Sequence, residues 1–384
     1  MTNREDANSA STFTNAAAID TVVDVQVSTV EPASGGAFPE SIDSIKFNAP
    51  LDYASQGRCV TAEDYKTFVK RFFPNTQAVS VFGGESGSFD SSLGVVSTQE
   101  FGKVFISIKS TTGNFIPQAE KERLVQDLSP FTVASITPVI VDPETIFLVL
   151  DVSARFNSNL TTLTSTALAS KINDTLINFN KNNLQSFNSS FRHSQVTRLI
   201  DDTDDAITSN ITKVVLAKFF TPTLNEEVGY TLFFNNRIFN PHARHNSDQG
   251  GVTASTVFKV AGDTANEHFF DDDGNGNVRR YYVLAGVKNY IDNTAGTVDY
   301  ALGTISINPI NITSVSDVDG VVSTQVRLTV IPNSKDIVPV RNQILKLDLT
   351  NSTVTGQVDT VAVGDGSASG TYTTSTSYST PSGY

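Results

Sequence analysis

The sequence predicts an α+β, multidomain chain: an α/β sandwich of antiparallel strands with helices, then a helical insert, then a β-rich C-terminal domain. Three observations predict it. Apolar residues recur at helical spacing in runs entered by a cap or a proline, at 62–72, 118–128 and 161–182. Between those runs lie short alternating or continuous apolar stretches of strand length. Beyond residue 228 helical spacing gives way to alternating aromatic and β-branched residues separated by turn signals. The chain has 384 residues, 39% of them hydrophobic, which is enough for two or three domain cores.

Residues 1–18 are polar and read as a flexible lead. Residues 19–60 read as a strand and a short helix: Val23, Val25 and Val27 alternate in 19–30, 32–36 is a turn, and Pro39 starts a helix over 39–47. Arg58-Cys59-Val60-Thr61-Ala62-Glu63-Asp64-Tyr65 follows. Thr61 stands at an N-cap position with Asp64 three residues on, a capping box with Asp in the place of Glu or Gln. Glu63 and Asp64 complement the positive end of the helix dipole. Tyr65, Phe68, Val69 and Phe72 then make one apolar face, and Pro74 ends the helix.

Residues 61–160 are expected to form one α+β domain in the order αββαββ, with helices on one face of a mostly antiparallel sheet. Its strands fall at 77–82, 102–109, 135–141 and 145–155, with a Gly/Ser-rich loop at 83–92 and a helix at 118–128 entered at Pro117. Val104, Ile106 and Ile108 line one strand face. The 145–155 run is apolar on both faces at its start, as a central strand would be. Residues 161–227 read as a helical segment (Leu163, Leu168, Ile172, Leu176, Phe179), a short helix at 195–202 and a strand at 211–220.

Residues 228–350 are β-rich, a sandwich or barrel-like domain. Tyr230, Leu232 and Phe234 alternate, and 271–277 is a hairpin-type loop between the aromatic pairs Phe269-Phe270 and Tyr281-Tyr282. Those four aromatics are candidates for an interface centre, with a plain domain core as the alternative. Residues 351–384 read as a Gly/Ser/Thr/Tyr-rich tail, nearly free of aliphatics from residue 363 on, or as an arm that orders on a neighbour.

Composition excludes several functions. No apolar run reaches the roughly 20 residues of a spanning helix. The first 18 residues lack the apolar core of a secretory signal. A sole cysteine, Cys59, excludes an intrachain disulfide and fits a reducing compartment. With a net charge of −13 and scattered Lys and Arg, nucleic-acid binding is not expected.

Chemistry-bearing motifs are sparse. Asp271-x-Asp273-x-Asn275-Gly276 begins like a calcium loop, but Tyr282 stands where the closing Glu belongs, so a hairpin turn is the expectation. His242 and His245 offer two ligands beside Asp248, short of a zinc set. Gly84-Glu85-Ser86-Gly87 has Ser88 where a nucleophile elbow needs Gly. Asp201, Asp202, Asp204 and Asp205 read as a solvated helix end. No catalytic, cofactor or metal residues are expected.

The order of these pieces resembles the baseplate J-like family, and more fully the inner baseplate wedge proteins of contractile-tailed myophages, over residues 19–350. The resemblance is carried by Gly35-Gly36, Glu40-Ser41-Ile42, Ala49-Pro50 and 53–56 ahead of the signature Arg58-Cys59-Val60-Thr61, Asp64-Tyr65. Val79-Ser80-Val81 and Gly83-Gly84-Glu85 follow, then Ser194 with Leu199-Ile200-Asp201. Phe233-Phe234-Asn235-Asn236, Gly296-Thr297-Val298-Asp299-Tyr300 and Arg341-Asn342-Gln343-Ile344-Leu345 complete it. The chain departs from the family in having Cys59 where Ala is usual, and in resembling only a C-terminal portion or a shortened member.

The resemblance implies a structural role and no catalysis. It implies copies paired as dimers within an inner ring around the tail tube, contacts with other baseplate wedge and tube-proximal proteins, and an iris-like rearrangement on sheath contraction. The expected location is the virion tail baseplate, assembled in the host cytoplasm, without nucleic-acid or membrane partners. A host-surface or glycan-binding module on the tail is the alternative reading.

Overall fold

A computed structural model describes residues 41–363 apart from 87–88, 91–94, 97–98, 112–115, 246–250 and 317–322. The expected lead at 1–18, the strand at 19–30, the turn at 32–36 and the segment 364–384 lie outside the described residues. Contacts divide the chain into two units. One comprises Met1–Asp90, Val96–Glu144 and Arg341–Gln343; the other comprises Ser91–Val95, Thr145–Val340 and Ile344–Tyr384.

The first unit begins with α1 (Ile42–Ser55), capped by the Ser41 hydroxyl on the Ser44 N–H at 3.2 Å. This helix is longer than the 39–47 expected, because Pro50 sits inside it without ending it. Pro50 lacks the N–H that would reach back one turn, a loss usually large enough to break a helix. Gln56 (φ 51°) and Gly57 (φ 71°), both left-handed, terminate it. Its apolar residues do not gather on one face, and Ile42, Phe47 and Tyr53 are largely exposed.

Then come α2 (Ala62–Phe72) and β1 (Thr76–Gly83), two short strands β2 (Phe89–Asp90) and β3 (Val95–Val96), and β4 (Lys103–Ser110), α3 (Gln118–Leu128) and β5 (Thr137–Val141). The sheet order is β1-β4-β5. β1 and β4 are antiparallel, with Val79 opposite Ile108 and Val81 opposite Ile106. β4 and β5 are parallel, with Phe105 opposite Val139. The crossover helix α3 makes that parallel pairing, so the sandwich is not antiparallel throughout. Phe68 and Val69 of α2, Leu124 and Leu128 of α3, and Ile106 and Ile108 of β4 share one buried cluster. Both helices therefore cover the same face of β4.

The second unit is built on β6 (Glu144–Phe156). The sequence assigned this strand to the first sheet; instead it pairs antiparallel with β7 (Ile207–Phe220), Leu148 opposite Leu216 and Leu150 opposite Val214. Between them run α4 (Ser165–Phe179), which continues as a π turn over Asn180–Leu184, and α5 (His193–Asp201). Leu168, Ile172 and Leu176 of α4 pack into the same core as Ile146, Leu148, Leu150 and Val152. Leu163, expected on this helix, lies outside it, because Thr164 caps the Ala167 N–H at 3.2 Å.

The remaining strands are β8 (Glu227–Phe233), β9 (Thr253–Ser255), β10 (Val257–Val260), β11 (Asp263–Asp272), β12 (Asn277–Leu284), β13 (Val287–Asp299), β14 (Thr304–Ser316), β15 (Val326–Val330), β16 (Gln343–Leu347) and β17 (Thr353–Val358). The sheet around β6 has the order β16-β6-β7-β15-β9, so β6 is interior, as its two apolar faces require. β17 adds to β6 in parallel, Val354 opposite Val152. Residues 353–358 were read as tail; their β-branched Thr353, Val354, Thr355 and Val358 make them a strand.

Strands β10 to β14 pair in sequence, and β10 also pairs with β14, Phe258 opposite Val315. Five antiparallel strands thus close on themselves as a barrel, with β8 attached to β14. Closure removes the unpaired edges that a β-rich domain otherwise exposes.

Candidate functional site

The motif from Arg58 to Tyr65 is a reciprocal cap with a buried aromatic at its end. Thr61 has extended dihedrals (φ −100°, ψ 162°), as an N-cap does. The Asp64 N–H donates to Thr61 Oγ1 at 3.3 Å, and the N–H groups of Thr61 and Val60 donate to Asp64 Oδ2 at 2.8 and 3.2 Å. Partial burial opposes ionisation of Asp64, but the hydrogen bonds from Thr61 and Val60 outweigh it and hold its carboxyl below the usual range.

Cys59 is fully buried, and its N–H donates to the Phe131 carbonyl at 2.8 Å. Burial, with the nearby Asp64 charge, pushes its thiol up to about 12. The cysteine is therefore a small apolar packing residue and not a nucleophile. Tyr65 is also buried, and Phe68, Phe72 and Phe131 form a triangle of rings 4.8 to 6.0 Å apart beside it. Arg58 is exposed, and its guanidinium makes no hydrogen bond or ion pair with another described residue. The motif anchors α2 to the loop after α3.

Gly83, Gly84 and Glu85 end β1. A Cβ on Gly84 would lie 1.8 Å from the Glu100 carbonyl oxygen, while the Glu100 N–H donates to the Gly84 carbonyl at 2.9 Å. Only glycine allows that approach. At Gly83 the nearest atoms a Cβ would meet belong to the Glu85 carboxylate, the mobile end of an exposed side chain.

The hairpin β11–β12 carries the four aromatics named as interface candidates. Phe270 is fully buried, stacked on Phe258 with centroids 4.5 Å apart inside the barrel. Tyr281 is buried on the other face, stacked on Phe269 at 5.5 Å. Phe269 and Tyr282 are half-buried. Successive residues of a strand point to opposite faces, so the two aromatic pairs never form one patch.

The expected turn joins these strands, and its acids are engaged within the fold. Asp273 accepts from the N–H groups of Asn275 and Asn277 at 2.8 and 3.0 Å. Asp271, its side chain 2% exposed, accepts from Arg279 Nε at 2.9 Å, Lys288 Nζ at 3.0 Å and the Tyr290 hydroxyl at 2.8 Å. Burial and then the Asp271 charge hold the Tyr290 phenol well above its usual range. Sequence reasoning missed this network, whose members Asp271, Arg279 and Lys288 lie on three successive strands, β11, β12 and β13. Asp272 binds the Thr253 N–H and hydroxyl, each at 2.9 Å, and the Tyr300 hydroxyl at 2.6 Å.

The other flagged residues also have structural settings. Asp204 pairs with Lys171 at 2.8 Å, and Asp201 accepts from Asn210 Nδ2 at 2.7 Å. The rings of His242 and His245 lie 5.2 Å apart in a loop. Among the described residues no group of three or more His, Cys, Asp or Glu is placed to hold a metal ion. No helix among them is long and apolar enough to cross a membrane.

The capped helix packed on a mixed sheet, and the strand-helix-strand layer after it, are each similar to a known protein family. Residues 61–141 match the family described as baseplate structural protein gp6, C-terminal domain I, and residues 144–218 match C-terminal domain III of the same protein. The chain is similar in particular to baseplate wedge protein gp6 of Enterobacteria phage T4, 29% identical over 217 residues, or 54% of this chain. The chain spans 30% of the length of that relative. The cryo-EM baseplate of the anti-feeding prophage, 6-fold symmetrised, gives a TM-score of 0.29 at 15% identity, over 51% of this chain and 43% of that one.

Proposed function

We propose that this chain is a structural subunit of a phage tail baseplate wedge, of the baseplate J-like kind, located in the virion. It self-associates as dimers within the inner ring around the tail tube, contacts other wedge and tube-proximal proteins, and rearranges during sheath contraction. One observation carries the reading: the two matches stand in tandem, and their junction falls where the fold divides, between residues 141 and 144 for the matches and at Glu144 for the units. Two independently bounded domains in the same order are a stronger sign of common architecture than one short motif.

Nothing chemical is asked of the site. The capping box and the Gly84 contact fix the first unit's geometry, as a part whose role is to hold its neighbours at set positions must be fixed. With Phe270 and Tyr281 buried, the contact surface moves to α1, where Ile42, Phe47 and Tyr53 are exposed without an internal partner face. Rearrangement of a ring needs two arrangements of one interface close in energy. Quantitative mass spectrometry of purified native tails tests the assignment. A fixed stoichiometry to the tube protein that survives high-salt washing is expected, and loss of the chain on washing would contradict it.

A further inference from the structure

The C-terminal half of α4, its π turn and one side of α5 border an open groove of about 360 Å³. Phe179 and Leu199 form an apolar floor, and Asn178, Asn182, Asn183 and Gln195 bring four exposed carboxamides to its rim. None of the four amides makes a side-chain hydrogen bond with another described residue. None of these six side chains is ionisable, on a chain of formal net charge −13. Each carboxamide offers two donors and an acceptor, the same functions a peptide main chain presents. The groove therefore suits an uncharged, extended polypeptide that carries hydroxyl side chains and an occasional ring.

We propose that its occupant is the same chain's segment 364–384. Asp365 is the only residue there with a charged side chain, and the rest is mainly Ser, Thr and Gly. Tyr372, Tyr378 and Tyr384 recur at intervals of six, an even spacing that puts the rings on one side of an extended backbone. The reach is sufficient. β17 lies against α4, with Gly356 so close to Ser165 that a Cβ would meet its carbonyl oxygen at 2.8 Å. Beyond it Asn157 Nδ2 donates to the Ala362 carbonyl at 3.3 Å, which fixes the departure point beside the end of β6. From Ser165 α4 is about 22 Å long at roughly 1.5 Å per residue. The nine residue-to-residue steps from Val363 to Tyr372 span at most about 30 Å at roughly 3.3 Å each. Tyr372 is thus the first ring that can reach Phe179 and Leu199, while the carboxamides pair with the flanking main chain.

The test uses the full chain, in which Cys59 is fully buried and does not compete for oxidation. In the Lys181→Cys/Thr374→Cys variant, which keeps Tyr372 and all four carboxamides, mild oxidation should give a disulfide at monomer mass, seen as linked peptides by mass spectrometry. It should form at least about tenfold faster than in the same cysteine pair carrying Tyr372→Ser, because docking raises the local concentration above that of a free tether of equal length. Equal rates in the two variants would overturn the proposal, and so would a crosslink at dimer mass, which would assign the segment to a second copy. Adding Asn178→Asp and Gln195→Glu removes amide donors at exposed positions and should slow the crosslink; an unchanged rate would mean that the carboxamides do not hold the segment. The outcome does not depend on the assembly role proposed above.

Discussion

Thr61 and Asp64 each cap the other's main chain: the Thr61 hydroxyl accepts the Asp64 N–H, and the Asp64 carboxylate accepts the Thr61 N–H at 2.8 Å. Each bond joins one residue's side chain to the other's main-chain N–H, so losing either side chain removes one bond and loosens the turn that positions the other. Thr61→Ala and Asp64→Ala should each cost about 1 kcal/mol, and the double variant should cost less than the two together. Urea denaturation of the three variants measures this; strict additivity would contradict a reciprocal cap.

The same pair sets a pH dependence. The folded carboxyl of Asp64 titrates below its unfolded value of about 3.9. Its contribution is therefore complete above that value and is lost as pH falls through the folded one. Asp64→Asn should lower stability at neutral pH and flatten the acid limb of the stability curve, measured by thermal denaturation across that range. An unchanged acid limb would mean the hydrogen bonds do not discriminate the ionised form.

Gly84→Ala should destabilise the first unit strongly, by about 2 kcal/mol or more, because its Cβ meets the Glu100 main chain at 1.8 Å. Gly83→Ala should cost less, since the nearest obstacle is the exposed Glu85 side chain, which can move. Comparing the two midpoints in denaturant checks the prediction, and equal losses would contradict it.

Phe270 and α1 separate folding from association. Phe270→Ala empties a fully buried ring site and should cost about 3–5 kcal/mol. The Ile42→Ser/Phe47→Ser/Tyr53→Ser variant changes only exposed side chains and should keep the melting temperature within a few degrees. It should shift self-association, measured by sedimentation, toward monomer. Undiminished association would place the contact elsewhere.

Asp271 faces two cations and a phenol from a nearly dry position. Asp271→Ala should cost about 3–5 kcal/mol, because its partners lose a buried counter-charge. Lys288→Ala should cost at most about 1 kcal/mol, because Lys288 is 32% exposed and water replaces much of its interaction. Chemical denaturation of both variants provides the comparison, and a larger loss from Lys288→Ala would reverse the assignment.

What the sequence made legible was local. Thr61, Asp64 and the Phe68 spacing mark the start and buried face of α2, and Pro117 marks the start of α3 at Gln118. The alternation of Ile146, Leu148 and Leu150 on an apolar run marks β6 as interior. The unread features depend on distant partners. Nothing within 144–156 says that its neighbour is 207–220 and not 103–110, and the sheet assignment failed there. The polar appearance of 353–358 hides a strand whose hydrogen bonds come from β6, about 200 residues earlier in the chain. The aromatics at 269–270 and 281–282 look alike in sequence, but register puts Phe270 inside the barrel and Phe269 outside it. Of the site, only the cap follows from residue chemistry; the Gly84 contact depends on the main chain of Glu100. The Asp271 network and the α4–α5 groove follow from tertiary placement alone.

The central claim is the place of this chain in a tail baseplate, and imaging tests it most directly. The chain is labelled in native tails and the particles are averaged by electron microscopy. The account predicts label in a closed ring at the distal end, around the tube, that widens on sheath contraction. Label confined to peripheral fibres, or absent from every particle, would contradict it.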